Sequence, residues 1–307
     1  MRSFEDIEVV GLGQACVDYL GRVPFYPRED GKMELIDLQS QCGGPASTAL
    51  VTLSRLGIKT SFLGSISDDP IGAEVLKGLS ADRVDHSFLK ISPGYTSQFA
   101  FIAVTQESGN RTIFWHRGSA PPLKREEVDL SPFSDAKVLH LDGLMIDASI
   151  EAARQARARG LKVVLDAGTM REGSLELVSQ IDVLIASARF AVPLVGEKSP
   201  AEGALEALSC LGPEEIVITL GSKGSVGWNR GKVVAQSAFP VEVMDTTGAG
   251  DVYHGAYIYG LLKGWDMKAC MRFASATSAL KCRAIGARAG IPTLTAVVDL
   301  LRTNPEE

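Results

Sequence analysis

The sequence predicts an α/β protein whose mostly parallel sheet is covered by helices on both faces, and two observations carry that prediction. Short apolar runs alternate with stretches of helical spacing, the grammar of strand–helix–strand units,. Two segments, about 14–40 and 97–118, break this grammar with strand-like patterning of their own,. Among 307 residues, 45% apolar and 22% charged is ordinary globular composition, ample for a substantial core,. No linker, low-complexity tract or internal repeat divides the chain, so 1–307 reads as one domain,.

The first strand is Ile7-Glu-Val-Val-Gly-Leu12, and Gly11 and Gly13 read as a strand-end turn, since the third glycine of a dinucleotide fingerprint is missing,. Residues 14–40 hold Pro24, Pro27, the charged turn Arg28-Glu-Asp-Gly-Lys32 and the alternating Met33-Glu-Leu-Ile-Asp-Leu38. A helix follows from Pro45, with Ala46, Ala49, Leu50, Leu53 and Leu56 at helical spacing and Gly57 as its stop,. Thr60–Gly64 is the next buried strand. Gln98–Val104 and Arg111–Trp115 flank the turn Glu107-Ser-Gly-Asn110 and read as antiparallel, either as an edge hairpin of the main sheet or as a separate small sheet,. Val138–Leu141, Val163–Asp166, Val183–Ala186 and Ile216–Leu220 complete the buried strands,. In such sheets ligands bind outside the carboxyl ends of the strands.

Chemistry concentrates in Asp245-Thr-Thr-Gly-Ala-Gly-Asp251-Val-Tyr-His-Gly-Ala-Tyr257. A helix start leaves backbone N–H groups unpaired and carries partial positive charge, so Gly248, Ala249 and Gly250 can cradle a phosphoryl group. A carboxylate beside that cradle repels phosphate, and Asp251 needs a chemical reason to be there. Accepting the proton of an attacking hydroxyl is such a reason. The plainer alternative makes Asp245 or Asp251 an N-cap and the glycines a tight turn. His254, three residues on, either faces the site or donates to a backbone carbonyl.

Absences narrow the field. No G-x-x-x-x-G-K-[ST] occurs, which disfavours a P-loop,. A net charge of −6 with scattered Lys and Arg gives no footprint for nucleic acid,. No apolar run approaches the roughly 20 residues of a membrane helix, and Met1-Arg-Ser-Phe-Glu-Asp6 lacks a leader's apolar stretch, so a cytoplasmic protein without a membrane partner is expected,. The five cysteines form no C-x-x-C pair, and His86, His116 and His140 are unclustered,.

The 245–257 stretch, together with Gly43-Gly44-Pro-Ala-Ser-Thr48, resembles the signatures of the pfkB, or ribokinase-like, carbohydrate kinases, and the resemblance covers essentially the whole chain. The C-terminal segments 272–276 and 279–292 are similar to sulfofructose kinases, and Asn110–Ser119 to ketohexokinases. The resemblance implies a three-layer α/β/α sandwich with a small β lid built from 14–40 and 97–118. It implies ATP-dependent phosphorylation of a sugar or sugar derivative, with ATP and Mg²⁺ as cofactors, and a homodimer through the lid. Asp251 would be the base, with Gly248, Ala249 and Gly250 as the anion hole. Asp18, Gly43, Gly44 and Thr48 would bind the acceptor, although many members have Asn where Thr48 stands. Ser187, Thr219, Gly221, Ser222, Gly224, Thr246, Gly248, Gly250, Ala284 and Gly286 would line the nucleotide. Ser187 and Phe190 replace the Asn and Glu that many members place near Mg²⁺, so no metal ligand is named. A monovalent cation, K⁺, is implied near the Asp245 backbone and the Ala284–Ala287 loop.

Lys32 and Arg117, in the two lid segments, are either solvated or converge on an anionic substituent of the substrate,. The Arg that sulfofructose kinases use on a strand-to-helix loop finds Gly143-Leu144 here. Three alternatives stay open: a nucleoside acceptor stacked against Phe99, Phe101 or Trp115, a non-catalytic nucleotide- or sugar-binding regulator, and a dinucleotide-dependent oxidoreductase.

Overall fold

The computed structural model describes residues 4, 6–107 and 110–305. Its strands are Val9–Leu12 (β1), Cys16–Val23 (β2), Asp37–Gly43 (β3), Thr60–Leu63 (β4), Ser65–Ser67 (β5), Lys90–Ser92 (β6) and Phe99–Thr105 (β7), followed by Arg111–His116 (β8), Val138–Leu141 (β9), Lys162–Ala167 (β10), Val183–Ser187 (β11), Glu215–Thr219 (β12), Ser225–Asn229 (β13) and Lys232–Gln236 (β14). Its α-helices are Pro45–Arg55 (α1), Pro70–Ala81 (α2), Ile146–Ala158 (α3), Ser174–Val178 (α4), Val192–Val195 (α5), Ala201–Ser209 (α6), Ala249–Leu262 (α7), Met267–Lys281 (α8) and Leu294–Thr303 (α9).

Eight strands form the main sheet in the order β14-β13-β12-β11-β10-β9-β1-β4, parallel from β12 to β4 and closed at one edge by the antiparallel β13 and β14. Alternate residues of each central strand feed opposite cores. Val9, Val164, Ile185 and Val217 pack with α1, α7 and α8, while Val10, Leu165, Leu184 and Ile216 pack with α3, α4 and α6. This alternation makes the sheet the middle of three layers, buried on both faces.

The second sheet runs β3-β2-β7-β8, with β2 and β7 paired in parallel and β3 and β8 antiparallel at the edges. The two breaking segments therefore form a sheet of their own rather than an edge of the main one. Met33–Ile36 is not a strand despite its alternation: β3 starts at Asp37, where pairing with Arg22 of β2 begins. The turn expected at 107–110 includes 108 and 109, which lie outside the described residues. All of β8 is exposed on both faces, Ile113, Phe114 and Trp115 included.

Two helices set the geometry of the site. α1 begins with Pro45 after Gly44, whose φ of +98° favours glycine, and a Cβ there would sit 2.4 Å from Gln14 O,. α7 is buried almost all round, and a Cβ on Gly255 would lie 2.5 Å from Ala49 O, so α7 crosses α1 at backbone distance. Among the described residues no helix is long and apolar enough to cross a membrane.

Candidate active site

At the carboxyl ends of β9 and β10, beside the start of α7, lies a cleft of about 400 Å³. Three carboxylates line it, Asp142, Asp166 and Asp251, with Ile113 and Trp115 of β8 on one wall and Arg171 after β10 as its one basic lining residue among those described. Burial raises the pKa of each acid to about 7, and the neighbouring Asp166 charge adds to the rise at Asp251,. Asp142 accepts from Gln14 N at 2.6 Å and Leu144 N at 3.0 Å. A Cβ on Gly13 would fall 2.1 Å from Asp142 Oδ2, so this glycine makes room for a carboxylate. Gly11 lies inside β1 against Leu50 rather than in a turn.

The cap of α7 is Gly248, with φ of +74° and no side-chain cap bond, so neither Asp245 nor Asp251 caps the helix. Ala249 N donates to Thr246 O, and a Cβ on Gly250 would meet open space. The helix start thus has open space beside Gly250 and no side-chain cap, with Asp251 in its first turn,. Asp245, fully buried, is the hub of the loop behind it: Oδ1 accepts from Thr247 N and Oγ1 at 2.9 and 2.7 Å, and Oδ2 from Gly286 N at 2.7 Å. From β8, Arg111 Nη1 donates to Thr246 Oγ1 at 2.6 Å.

His254 is packed rather than facing the cleft. Its Nδ1 lies 2.6 Å from Gly250 O and 3.4 Å from Asp166 Oδ2, and its Nε2 3.2 Å from Ile185 O. His140 is fully buried behind it, the two rings 6.1 Å apart.

Asp18 and Gly43 are brought together, since a Cβ on Gly43 would sit 2.0 Å from Asp18 Oδ2. Asp18 is buried, which raises its pKa, and accepts from Cys16 Sγ at 3.3 Å. Thr48 is fully buried and its hydroxyl finds no partner among the described residues. Ser187 ends β11 and donates to Gly168 O at 2.7 Å, while Thr219 ends β12 and donates to Ala186 O at 3.3 Å. Gly221 and Gly224 bracket a tight turn with Ser222 inside it, both at positive φ. The loop carrying Ala284 and Gly286 reaches the Asp245 carboxylate from the end of α8.

Lys32 and Arg117 are both exposed, neither lines the cleft, and the Arg117 guanidinium lies 5.3 Å from the centre of the Trp115 ring. The basic residue at the cleft is Arg171, which sequence reasoning passed over along with Asp142 and Asp166. The signal available was position: an acid at the end of each of two parallel strands.

Known proteins place this architecture. A ribokinase from Staphylococcus aureus is 30% identical over 303 residues, covering 94% of this chain and 98% of that protein. A 5-dehydro-2-deoxygluconokinase from Clostridium perfringens is 24% identical over 323 residues, covering 98% and 94%. The solved structure of Arabidopsis thaliana ribokinase complexed with ribose and ATP shares the fold at a TM-score of 0.83, with 24% identity and coverage of 96% and 99%. The family profile of pfkB carbohydrate kinases matches residues 6–294, and the chain belongs to that family of sugar kinases.

Proposed function

We propose that the protein transfers the γ-phosphoryl group of ATP to a hydroxyl of a sugar acid, with Asp251 as the general base. The observation that carries this reading is the position of Asp251, whose carboxylate lines the cleft in the first turn of a glycine-built helix start. Burial holds its pKa at about 7, where a base is half ionised at neutral pH and still accepts a proton readily,. The hydroxyl proton passes to Asp251 as the oxygen attacks, and the N–H groups of Gly248, Gly250 and Asp251 hold the charge of the transferring group.

The acceptor occupies the space between Asp251 and Arg171, flanked by Asp18, Gly43, Gly44 and Thr48 at the α1 start. Its acidic substituent pairs with Arg171, which has no carboxylate partner among the described residues and whose planar fork suits a carboxylate,. The nucleotide lies along the ends of β11 and β12, against Ser187, Thr219, Gly221, Ser222, Gly224, Thr246, Ala284 and Gly286. No three His, Cys, Asp or Glu side chains among the described residues form a set that could hold a metal. Mg²⁺ fits only as an ion brought by the nucleotide's phosphates and water, and when bound it neutralises charge on those phosphates. The small sheet acts as the lid, and its fully exposed β8 is the surface for a second copy in a homodimer.

ADP formation across neutral ketoses and aldoses, aldonic and uronic acids and nucleosides tests the assignment. Turnover is expected with an acid and to fall by about 10²–10⁴-fold in Asp251→Asn. A nucleoside or neutral sugar turned over better than every acid would reject the acceptor class, and full activity in Asp251→Asn would reject the base.

A further inference from the structure

Lys281, the last residue of α8, is fully buried, which is rare for a lysine,. Its Nζ donates to the main-chain oxygen of Asp245 at 2.9 Å. That oxygen belongs to the loop that leads into the phosphoryl cradle, the place where a monovalent cation is implied by resemblance.

A K⁺ ion would have to be held by oxygens that replace its water, and the Asp245 oxygen at the centre of this loop already holds a cation, with several of its neighbours also engaged. Asp245 O takes the Lys281 ammonium, and both carboxylate oxygens of Asp245 take N–H or O–H donors. Cys282 O accepts from Met244 N at 2.8 Å and Asp245 N at 3.2 Å. Lys281 O accepts from Ala284 N at 3.2 Å, and Ile285 O from Gln41 Nε2 at 3.0 Å. A metal cation beside this ammonium would meet a like charge in a buried place, so with Lys281 present the loop fits a built-in ammonium rather than a bound metal cation,.

We propose that Lys281 supplies the fixed positive charge of this loop in place of a monovalent cation, so that the enzyme works without K⁺. The ammonium holds the 245–248 backbone in the form that presents the cradle. Burial depresses the lysine pKa and the nearby Asp245 charge opposes that shift,. Lys281 touches no reacting atom and is a positioning residue.

The inference rests on the 245–251 segment being the phosphoryl site, and its test separates the two readings. Wild-type turnover is measured in KCl and in N-methylglucamine chloride of equal ionic strength, and thermal melting is followed in the same buffers without substrate. Equal turnover and equal Tm in both salts are expected. Lys281→Met is expected to lose turnover in the K⁺-free buffer, and to regain turnover and gain Tm as K⁺ is added, because the ion then enters the vacated site. Activation or stabilisation of the wild type by K⁺ would overturn the proposal, and so would a Lys281→Met enzyme as active as wild type without K⁺. If Lys281→Met does not fold, the two wild-type arms decide. If no acceptor is turned over, the kinase reading fails, and the wild-type melting arm still decides the cation question.

Discussion

Asp251 and Asp166, one in the first turn of α7 and the other near the end of β10, line the same cleft, and the charge on Asp166 raises the pKa of Asp251. Replacing Asp251 by Asn leaves the cradle and removes the base. kcat should fall by about 10²–10⁴-fold, with ATP affinity kept in a direct binding measurement.

The rate should rise with pH through about 7, as Asp251 ionises. Asp166→Asn removes the neighbouring charge and should move the midpoint of kcat/KM to lower pH. A midpoint displaced upward would mean that Asp166 acts chiefly through His254, 3.4 Å away.

Stability should carry the opposite slope. The folded protein keeps protons on Asp142, Asp166 and Asp251 up to about 7, whereas the unfolded chain releases them near 3.8. The folded state thus binds more protons across that window, and stability from these acids falls as pH rises through it and levels off above about 7,. Asp166→Asn should therefore raise Tm relative to wild type at pH values above 7 and lose that advantage below the unfolded-state value.

The two cradle glycines should respond differently. A side chain on Gly248 meets Ala287 Cβ at 2.7 Å in a backbone with φ of +74°. Gly248→Ala should cost about 1–2 kcal/mol from the left-handed backbone alone, read as a lower denaturation midpoint. Gly250→Val projects into open space, so it should keep Tm and abolish turnover by filling the phosphoryl position.

Arg171→Ala should raise KM for an acidic acceptor far more than for a neutral analogue. Lys32→Ala and Arg117→Ala should change neither, since neither side chain lines the cleft. Equal effects of Arg171→Ala on acidic and neutral acceptors, with a higher Kd for ATP, would assign this guanidinium to the nucleotide.

What the sequence revealed was local. Alternating strands and helices, the α1 start after Gly44 and the 245–251 cradle each rest on contiguous residues whose periodicity or turn chemistry is self-contained. The parallel pairing of β2 with β7 joins residues about eighty positions apart, such as Val17 with Phe99, and no local signal fixes that register. Met33–Ile36 alternates like a strand, yet the ladder with β2 starts only at Asp37, with a single bond from Ile36 N to Arg22 O before it. Lys32 and Arg117 drew attention through lid position alone, whereas Arg171, Asp142 and Asp166 meet only because β9 and β10 are neighbours in the sheet. Lys281 looks like an ordinary basic residue at a helix C-terminus, and only its burial against Asp245 marks it out.

The backbone contact of Gly255 with Ala49 has a bearing on how this scaffold tolerates change. If, as proposed, the α1 start flanks the acceptor and the α7 start presents the cradle, the span between them is set in part by two helices pressed together in the core. Side chains on β8 and after β10 can be exchanged to suit a new acceptor while the reach from hydroxyl to phosphorus is conserved. Relatives of this chain named for ribose and for 5-dehydro-2-deoxygluconate are what such a separation of tasks would leave behind.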